Sequence, residues 1–583
     1  MLKLFKYLRP YWFQCIILLI AIYAQVWGGL ELPTLMSKIV NVGIVAGDQP
    51  FIWQTGALMV VYTIISAIGA LVASFLSARI GAALSRDIRN DVYKKVLSFS
   101  ISEMDNFSTA SLITRTTGDI AQVQTTIIMC LSMLLRAPMM AIGAIIQAVE
   151  IAPDMIWIIV VAVAILLTLI TSILLVVVPK FDLYQKLIDK ITLLTRENLT
   201  GLRVIRAFNN QKLEQGKFER TNTELTKTDI FIGKVMSLDT PLMTLVFNGT
   251  ALLCIWIGIN YMETNIAYLG NMMAFMQYAI QVVMSFLFLA ILVVMLPRAN
   301  VSARRINEVL RTHPKITWPE KTAGTVSSAP SVEFKNVDFS YPGATEKVLQ
   351  NISFTATAGQ TTAFIGSTGS GKSTIINLIP RFHDATHGKV LINGLDVKHY
   401  SEESLMQKIG HVPQRAFLFS GSIKSNIAFG NQSADEDTIK HAATIAQASE
   451  FINKLEDKYQ HHVAEGGTNL SGGQKQRLSI ARAIAKNPEI YIFDDAFSAL
   501  DMKTDQKLRA ALTKITKNSV TLIVAQRIST IKNADQIIVL DSGKIVGRGT
   551  HRELLKTCTV YQEIARSQLS EQEYKKELAY ARA

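Results

Sequence analysis

Six stretches of the first half of this 583-residue chain are long and apolar enough to cross a membrane. They run from about Tyr11 to Val26, Gly56 to Leu76, Ile127 to Val149, Met155 to Val178, Leu242 to Tyr261 and Met272 to Leu296, each near the ~20 residues a spanning helix needs. Lys3, Lys6 and Arg9 ahead of the first stretch imitate a signal peptide, but the further segments argue against cleavage. The composition agrees: 49% of residues are hydrophobic and the mean hydropathy is +0.26, too apolar for a purely soluble protein. The net charge of +13 fits a membrane protein with basic cytoplasmic loops, and no aromatic-interleaved basic patch suggests a nucleic-acid partner. Cys15, Cys130, Cys254 and Cys558 are far apart, which supports neither a disulfide framework nor a zinc site.

Orientation follows from charge. The connections after the first, third and fifth stretches are nearly free of Lys and Arg, with Lys38 alone near the membrane, whereas those after the second and fourth are long and basic. One contains Arg86, Arg89, Lys94, Lys95 and Arg115; the other runs from Lys180 through Arg203, Arg206 and Arg220 to Lys234. Both keep helical periodicity and acidic partners, so they are expected to be helices that continue out of the membrane on the cytoplasmic side. Arg136 lies within a span, where an ionisable group faces a cavity or a partner; a substrate contact and an interhelical structural role are both open. Gln147, Asn248, Gln277 and Gln281 carry the same ambiguity. The last span is rich in Met272, Met273, Met276, Met284, Phe286 and Phe288, soft side chains that suit varied apolar ligands, although packing against lipid is the simpler account of them.

After Thr312 the periodicity gives way to proline and small polar residues as far as Pro330, the composition of a linker. The second half then opens with a strand-like run to Tyr341 and a turn at Pro342-Gly343. Gly366, Ser367, Thr368, Gly369, Ser370, Gly371, Lys372, Ser373 and Thr374 fit the phosphate-loop pattern G-x-x-x-x-G-K-[ST]. Glycines there let backbone N–H groups converge on phosphates, Lys372 reaches the β- and γ-phosphates, and Ser373 holds Mg2+. A buried strand over Thr362–Ile365 and a helix over Thr374–Ile379 are the expected flanks. The run Ile490 to Asp495 is expected to be a parallel strand buried on both faces, ending in acids where ligands bind, with Asp494 on the magnesium shell. Leu470, Ser471, Gly472, Gly473 and Gln474, followed by a helix through Ala485, offer a second anion-binding surface.

The order Tyr341, G-S-T-G-S-G-K-S-T, Gln414, L-S-G-G-Q, I-Y-I-F-D-D and S-A-L-D at Ser498–Asp501 resembles the ATP-binding-cassette (ABC) ATPase. Six spans ahead of it are similar to an exporter half-transporter of the bacterial multidrug type. The resemblance implies an α-helical six-span transmembrane domain of exporter type over 1–311, a linker over 312–330 and an α/β P-loop ATPase domain over 331–583. It implies ATP and Mg2+ as cofactors, with Tyr341 stacked on adenine, Lys372 on phosphates, and Ser373, Gln414 and Asp494 attending magnesium. Leu470–Gln474 would cover ATP held by a second half-transporter. Asn106–Ser111 and Asn209–Lys217 match the family's coupling helices. Cell-membrane localisation, an amphipathic small-molecule substrate and a bilayer environment follow from the same likeness.

Two positions depart from the family's active members. Asp495 stands where they have the glutamate that polarises water, and Gln526 stands where they have the histidine that contacts the γ-phosphate. The shorter carboxylate sits about one methylene back, and glutamine cannot be cationic. Together the changes resemble the degenerate site of a heterodimeric exporter; a homodimeric lipid or drug flippase is the alternative.

Overall fold

The computed structural model describes residues 2–262, 268–324 and 329–582, so part of the expected linker, 325–328, lies outside the described residues. The chain divides into two compact units, Met1–Leu97 with Thr109–Thr312, and Ser98–Ser108 with His313–Ala583.

The first unit is helical, with six helical stretches among the described residues long and apolar enough to cross a membrane. They extend well past their apolar cores. Gln49–Leu97 has 49 residues and Ile156–Thr200 has 45, against the ~20 that span hydrocarbon, so the basic connections are helical continuations, as periodicity predicted. The helix Trp12–Lys38 contacts Gln49–Leu97 closely because the facing residues are small: a Cβ at Gly28 would meet Tyr62 O at 2.8 Å, and one at Gly69 would meet Ala21 O at 2.7 Å. Leu18, Ile22, Ile80, Ala144, Phe275 and Ala279 form part of the shared core. Polar side chains add interhelical ties: Tyr278 donates its hydroxyl to Leu30 O at 2.6 Å, and Asn41 Nδ2 donates to Asn271 Oδ1 at 2.8 Å. Of the polar span residues singled out above, Gln147 accepts from Thr34 at 3.5 Å, whereas Gln281 Oε1 is buried without a partner among the described residues.

Among the described residues the second unit has twelve strands: β1 (Ser331–Phe339), β2 (Leu349–Thr357), β3 (Thr361–Gly366), β4 (His387–Ile392), β5 (Leu395–Asp396), β6 (Ile409–Val412), β7 (Gly421–Ser422), β8 (His462–Val463), β9 (Ile490–Asp494), β10 (Val520–Val524), β11 (Gln536–Asp541) and β12 (Lys544–Gly549). An antiparallel sheet is ordered β2-β1-β4-β5, and a larger sheet is ordered β12-β11-β3-β10-β9-β6. In the larger sheet β11, β3, β10, β9 and β6 are parallel, and only β12 is antiparallel. The central strands are covered on both faces, which is why β9 and β10 are buried at every residue and read as continuous apolar runs. One core joins the two sheets through the helix after β3; another fills the helical region from Leu418 to Ala485.

Three expectations shift. The helix after the phosphate loop is Lys372–Leu378, not Thr374–Ile379, because Gly371 takes φ +96° and turns the chain straight into the helix. Strand β9 ends at Asp494, since Asp495 leaves it with φ +45°. The connection after the second span forms its short helix over Ile101–Phe107, upstream of the expected Asn106–Ser111. Its start is set by a capping box of Ser100 and Glu103, with Ser100 N donating to Glu103 Oε2 at 3.0 Å, and Ser108 ends it at φ +55°. This segment clusters with the nucleotide-binding unit, where Lys315 Nζ donates to Ser102 Oγ at 3.4 Å.

The last long helix ends at Arg311. The described linker residues have no regular secondary structure, yet they are held down: Arg381 lies 4.6 Å over the Trp318 ring, and Ala323 N donates to His399 O at 2.9 Å.

Candidate nucleotide site

The sheet order explains how motifs scattered from Gly366 to Gln526 meet. In the run β3-β10-β9-β6 the parallel strands end together: Val524 pairs with Phe364 on one side and Asp494 on the other, and Val412 pairs with Phe493. The phosphate loop follows β3, Gln526 lies two residues beyond β10, Asp494 and Asp495 close β9, and Gln414 lies two residues beyond β6. All of them therefore stand at the carboxyl ends of adjacent strands, where open α/β sheets bind ligands.

The loop is built by its glycines. Gly369 at φ +83° has open space where a Cβ would be, leaving its backbone bare. Lys372 Nζ donates to Gly366 O at 3.0 Å and Ser367 O at 2.7 Å, so the ammonium is held over the loop, and burial pushes its pKa down. Ser373 Oγ donates to Asp494 Oδ1 at 3.1 Å. Asp494 is 8% exposed, and burial pushes its carboxyl pKa up, with Lys372 and the Ser373 hydroxyl only partly offsetting this. A serine hydroxyl beside one buried carboxylate is an oxygen donor set of the kind that suits Mg2+, which takes one or two carboxylates and otherwise water and phosphate. Tyr341 donates to or accepts from Thr374 Oγ1 at 3.1 Å, and its ring stands edge-on to His383 at 5.4 Å.

Around Asp495 the two glutamines converge. Gln414 Nε2 donates to Asp495 Oδ2 at 3.4 Å and Gln526 Nε2 donates to the same oxygen at 3.2 Å. The backbone there is pinned: Asp495 N donates to Val524 O at 2.9 Å, and Ser498 Oγ donates to Asp495 O at 2.8 Å. Aspartate tolerates the left-handed conformation at this position better than longer side chains do. Burial raises the Asp495 pKa, with the Gln414 hydrogen bond opposing it.

The L-S-G-G-Q segment divides by burial. Leu470 is 8% exposed and anchors in the core, while Ser471 caps the helix Gly472–Lys486, with Ser471 N donating to Gln474 Oε1 at 2.8 Å. Ser471 and Gly472 are the exposed members. Asp501 of S-A-L-D accepts from Thr504 N at 3.0 Å and so caps the helix Met502–Ile515.

One contributor escaped the sequence reading. Gln568 Nε2 donates to Gln526 O at 2.6 Å, and Ile528 N donates to Gln568 Oε1 at 2.8 Å, so one side chain clamps the backbone on both sides of Arg527. A lone glutamine ending a helix 42 residues away from Gln526 bears no motif that would have found it.

A phosphate loop, a buried carboxylate beside its serine, and glutamines at neighbouring strand ends define a P-loop nucleotide-binding domain. Family models agree: the ABC transporter model matches residues 349–498, and the ABC transporter transmembrane region model matches residues 15–286. An uncharacterized ABC transporter ATP-binding protein of Mycobacterium tuberculosis (strain CDC 1551 / Oshkosh) is 39% identical over 97% of this chain and 97% of its own length. The uncharacterized ABC transporter ATP-binding protein YfiB of Bacillus subtilis (strain 168) is 36% identical over 97% and 98%. A solved structure of a bacterial Atm1-family ABC exporter with ATP bound shares the fold at TM-score 0.80, with 23% identity, over 97% of this chain and 99% of that one. The chain belongs to the ABC transporter family, as an ATP-hydrolysing transporter built on the exporter fold.

Proposed function

We propose that this chain exports amphipathic compounds across the cell membrane as one half of a heterodimer, keeping a weakly hydrolytic ATP site and lending its signature segment to the partner's site. The observation that carries this reading is the carboxylate at the end of β9: Asp495 Oδ2 is bracketed by two neutral amides, Gln414 and Gln526, at 3.4 and 3.2 Å. Burial makes that carboxylate more basic, which would help a general base, but its reach is a methylene short. A displacement of ~1 Å can cost ~100-fold in rate, so reach outweighs basicity. The exposed Ser471 and Gly472 at an intact helix start support use of the signature in trans.

In this reading Lys372 and the loop amides hold the phosphates of ATP, Ser373 and Asp494 hold Mg2+ with Gln414 nearby, and Tyr341 supports the adenine. Bound nucleotide supplies the charge that stabilises closure of the two cassettes, a ligand-driven shift toward one state. The N-terminus and the ATPase domain are cytoplasmic, as the basic loops require.

The test is ATPase and transport by the chain alone and with a half-transporter carrying glutamate and histidine at the two departed positions. We expect little turnover alone and restoration by the partner. Ser471→Arg in this chain should then stop vanadate trapping at the partner's phosphate loop. Robust, Lys372→Ala-sensitive turnover with drug-stimulated transport by the lone chain would favour a homodimeric flippase.

A further inference from the structure

The third and sixth spans line an open cavity of about 270 Å³, bordered by Met133, Met140, Met284 and Phe288 together with Arg136 and Gln281. Arg136 is exposed at this cavity and, among the described residues, makes no hydrogen bond and no ion pair. Gln281 Oε1 is buried there and likewise unpartnered, so nothing fixes which way its amide points. A cation presented to an open cavity at membrane depth favours a counter-charge, and a buried amide oxygen without a partner is costly. Arg136 lies about the middle of the apolar run Ile127–Val149, too far from either end for the charge simply to rest at the interface. The regular helix is also interrupted at this place, by a π-helical stretch over Cys130–Leu134 and by Pro138, and such interruptions recur at functional sites. The remaining wall is thioether and aromatic, soft surface that adapts to apolar bodies of different shape.

We propose that this cavity receives the cargo and that the cargo is an amphipathic anion. Its carboxylate or phosphate pairs with Arg136, the Gln281 amide turns an N–H toward the same oxygens, and its apolar body lies against the methionines and Phe288. Guanidinium presents paired donors that match either group, so recognition is by charge and fork geometry together. The inference rests on the export reading above and narrows it to one substrate class. A free acid and the acidic headgroup of a bilayer lipid share this chemistry, and the experiment separates them.

The full-length chain in phosphatidylcholine nanodiscs is titrated with a dansyl-labelled long-chain carboxylic acid and with its methyl ester. The acid should bind at least about tenfold more tightly than the ester, Arg136→Met should erase that preference while leaving ester binding unchanged, and Arg136→Lys should retain most of it. Monodisperse elution of each variant establishes that it is folded, and the lysine variant keeps the test decisive if the methionine variant is not. Equal binding of acid and ester, or a preference that survives Arg136→Met, would overturn the proposal. Nanodiscs with phosphatidylglycerol added give the second arm: binding of the acid that persists supports a cargo site, and binding abolished by the lipid assigns the site to a resident lipid and overturns it. Neither arm needs ATP hydrolysis or a partner chain, so failure here leaves the degenerate-site reading standing, and failure of that reading leaves this result intact.

Discussion

The sharpest test of the ATP site is to repair it. Asp495→Glu with Gln526→His places a carboxylate about one methylene farther along and an ionisable donor at position 526, where active members contact the γ-phosphate. The backbone will not absorb the change, because Asp495 N is tied to Val524 O at 2.9 Å and its carbonyl to Ser498 Oγ at 2.8 Å. The added reach is therefore delivered to the water position. A gain of ~1 Å is worth ~100-fold, or about 2.7 kcal/mol of barrier. The substitution also has a cost: φ at this residue is +45°, where glutamate lacks aspartate's short-range compensation, so stability should fall by about 1 kcal/mol. The rate gain exceeds that loss, since a folded domain survives 1 kcal/mol with little change in population. The assay is ATPase by the lone chain in nanodiscs at saturating Mg-ATP, with Lys372→Ala as the control for contaminants and light scattering to verify nucleotide-dependent pairing. We expect at least about a hundredfold rise over the unmodified chain. A double variant that binds ATP and pairs normally yet gains no turnover would refute the argument from reach.

Asp494→Asn should raise the thermal stability of the nucleotide-free chain at neutral pH while removing magnesium-dependent ATP binding. Burial lifts this carboxyl above its ordinary 3.8, so between 3.8 and the raised value the folded state binds more protons than the unfolded state and stability falls as pH rises. The gain should therefore vanish on acidification below 3.8; a pH-independent gain would show that charge burial is not its cause. Gln568→Leu should remove two hydrogen bonds to the Gln526–Ile528 backbone, each worth ~1 kcal/mol, and accelerate amide exchange at Ile528 about tenfold or more. Unchanged exchange would show the clamp to be dispensable. Phe208, beside the proposed second coupling segment Asn209–Lys217, is 72% exposed and packs little within its own unit, so Phe208→Ala should alter the lone chain's stability by less than ~0.5 kcal/mol while uncoupling ATP use from transport in the assembled exporter; normal coupling would show that it does not anchor that segment.

The elements legible in the sequence were those governed by local rules. Span length follows from bilayer thickness, the phosphate loop from the glycine content that its backbone needs, and β9 from an apolar run that only a doubly covered strand tolerates. The short helix after the second span lies several residues upstream of Asn106–Ser111, where the family resemblance puts it, because its start is set by the capping box at Ser100. Other features were invisible for a physical reason: they are products of strand order. Nothing along the chain says that β6 and β10 flank β9, and only that order brings Gln414 and Gln526 onto one oxygen of Asp495. The Gln568 clamp is likewise a meeting of residues remote in sequence. Arg136 and Gln281 could be named as costly residues from hydropathy alone, but that they border one cavity with Met133 and Met284 was decided by packing between two helices far apart in the chain, where side-chain shape rather than sequence period sets the neighbours.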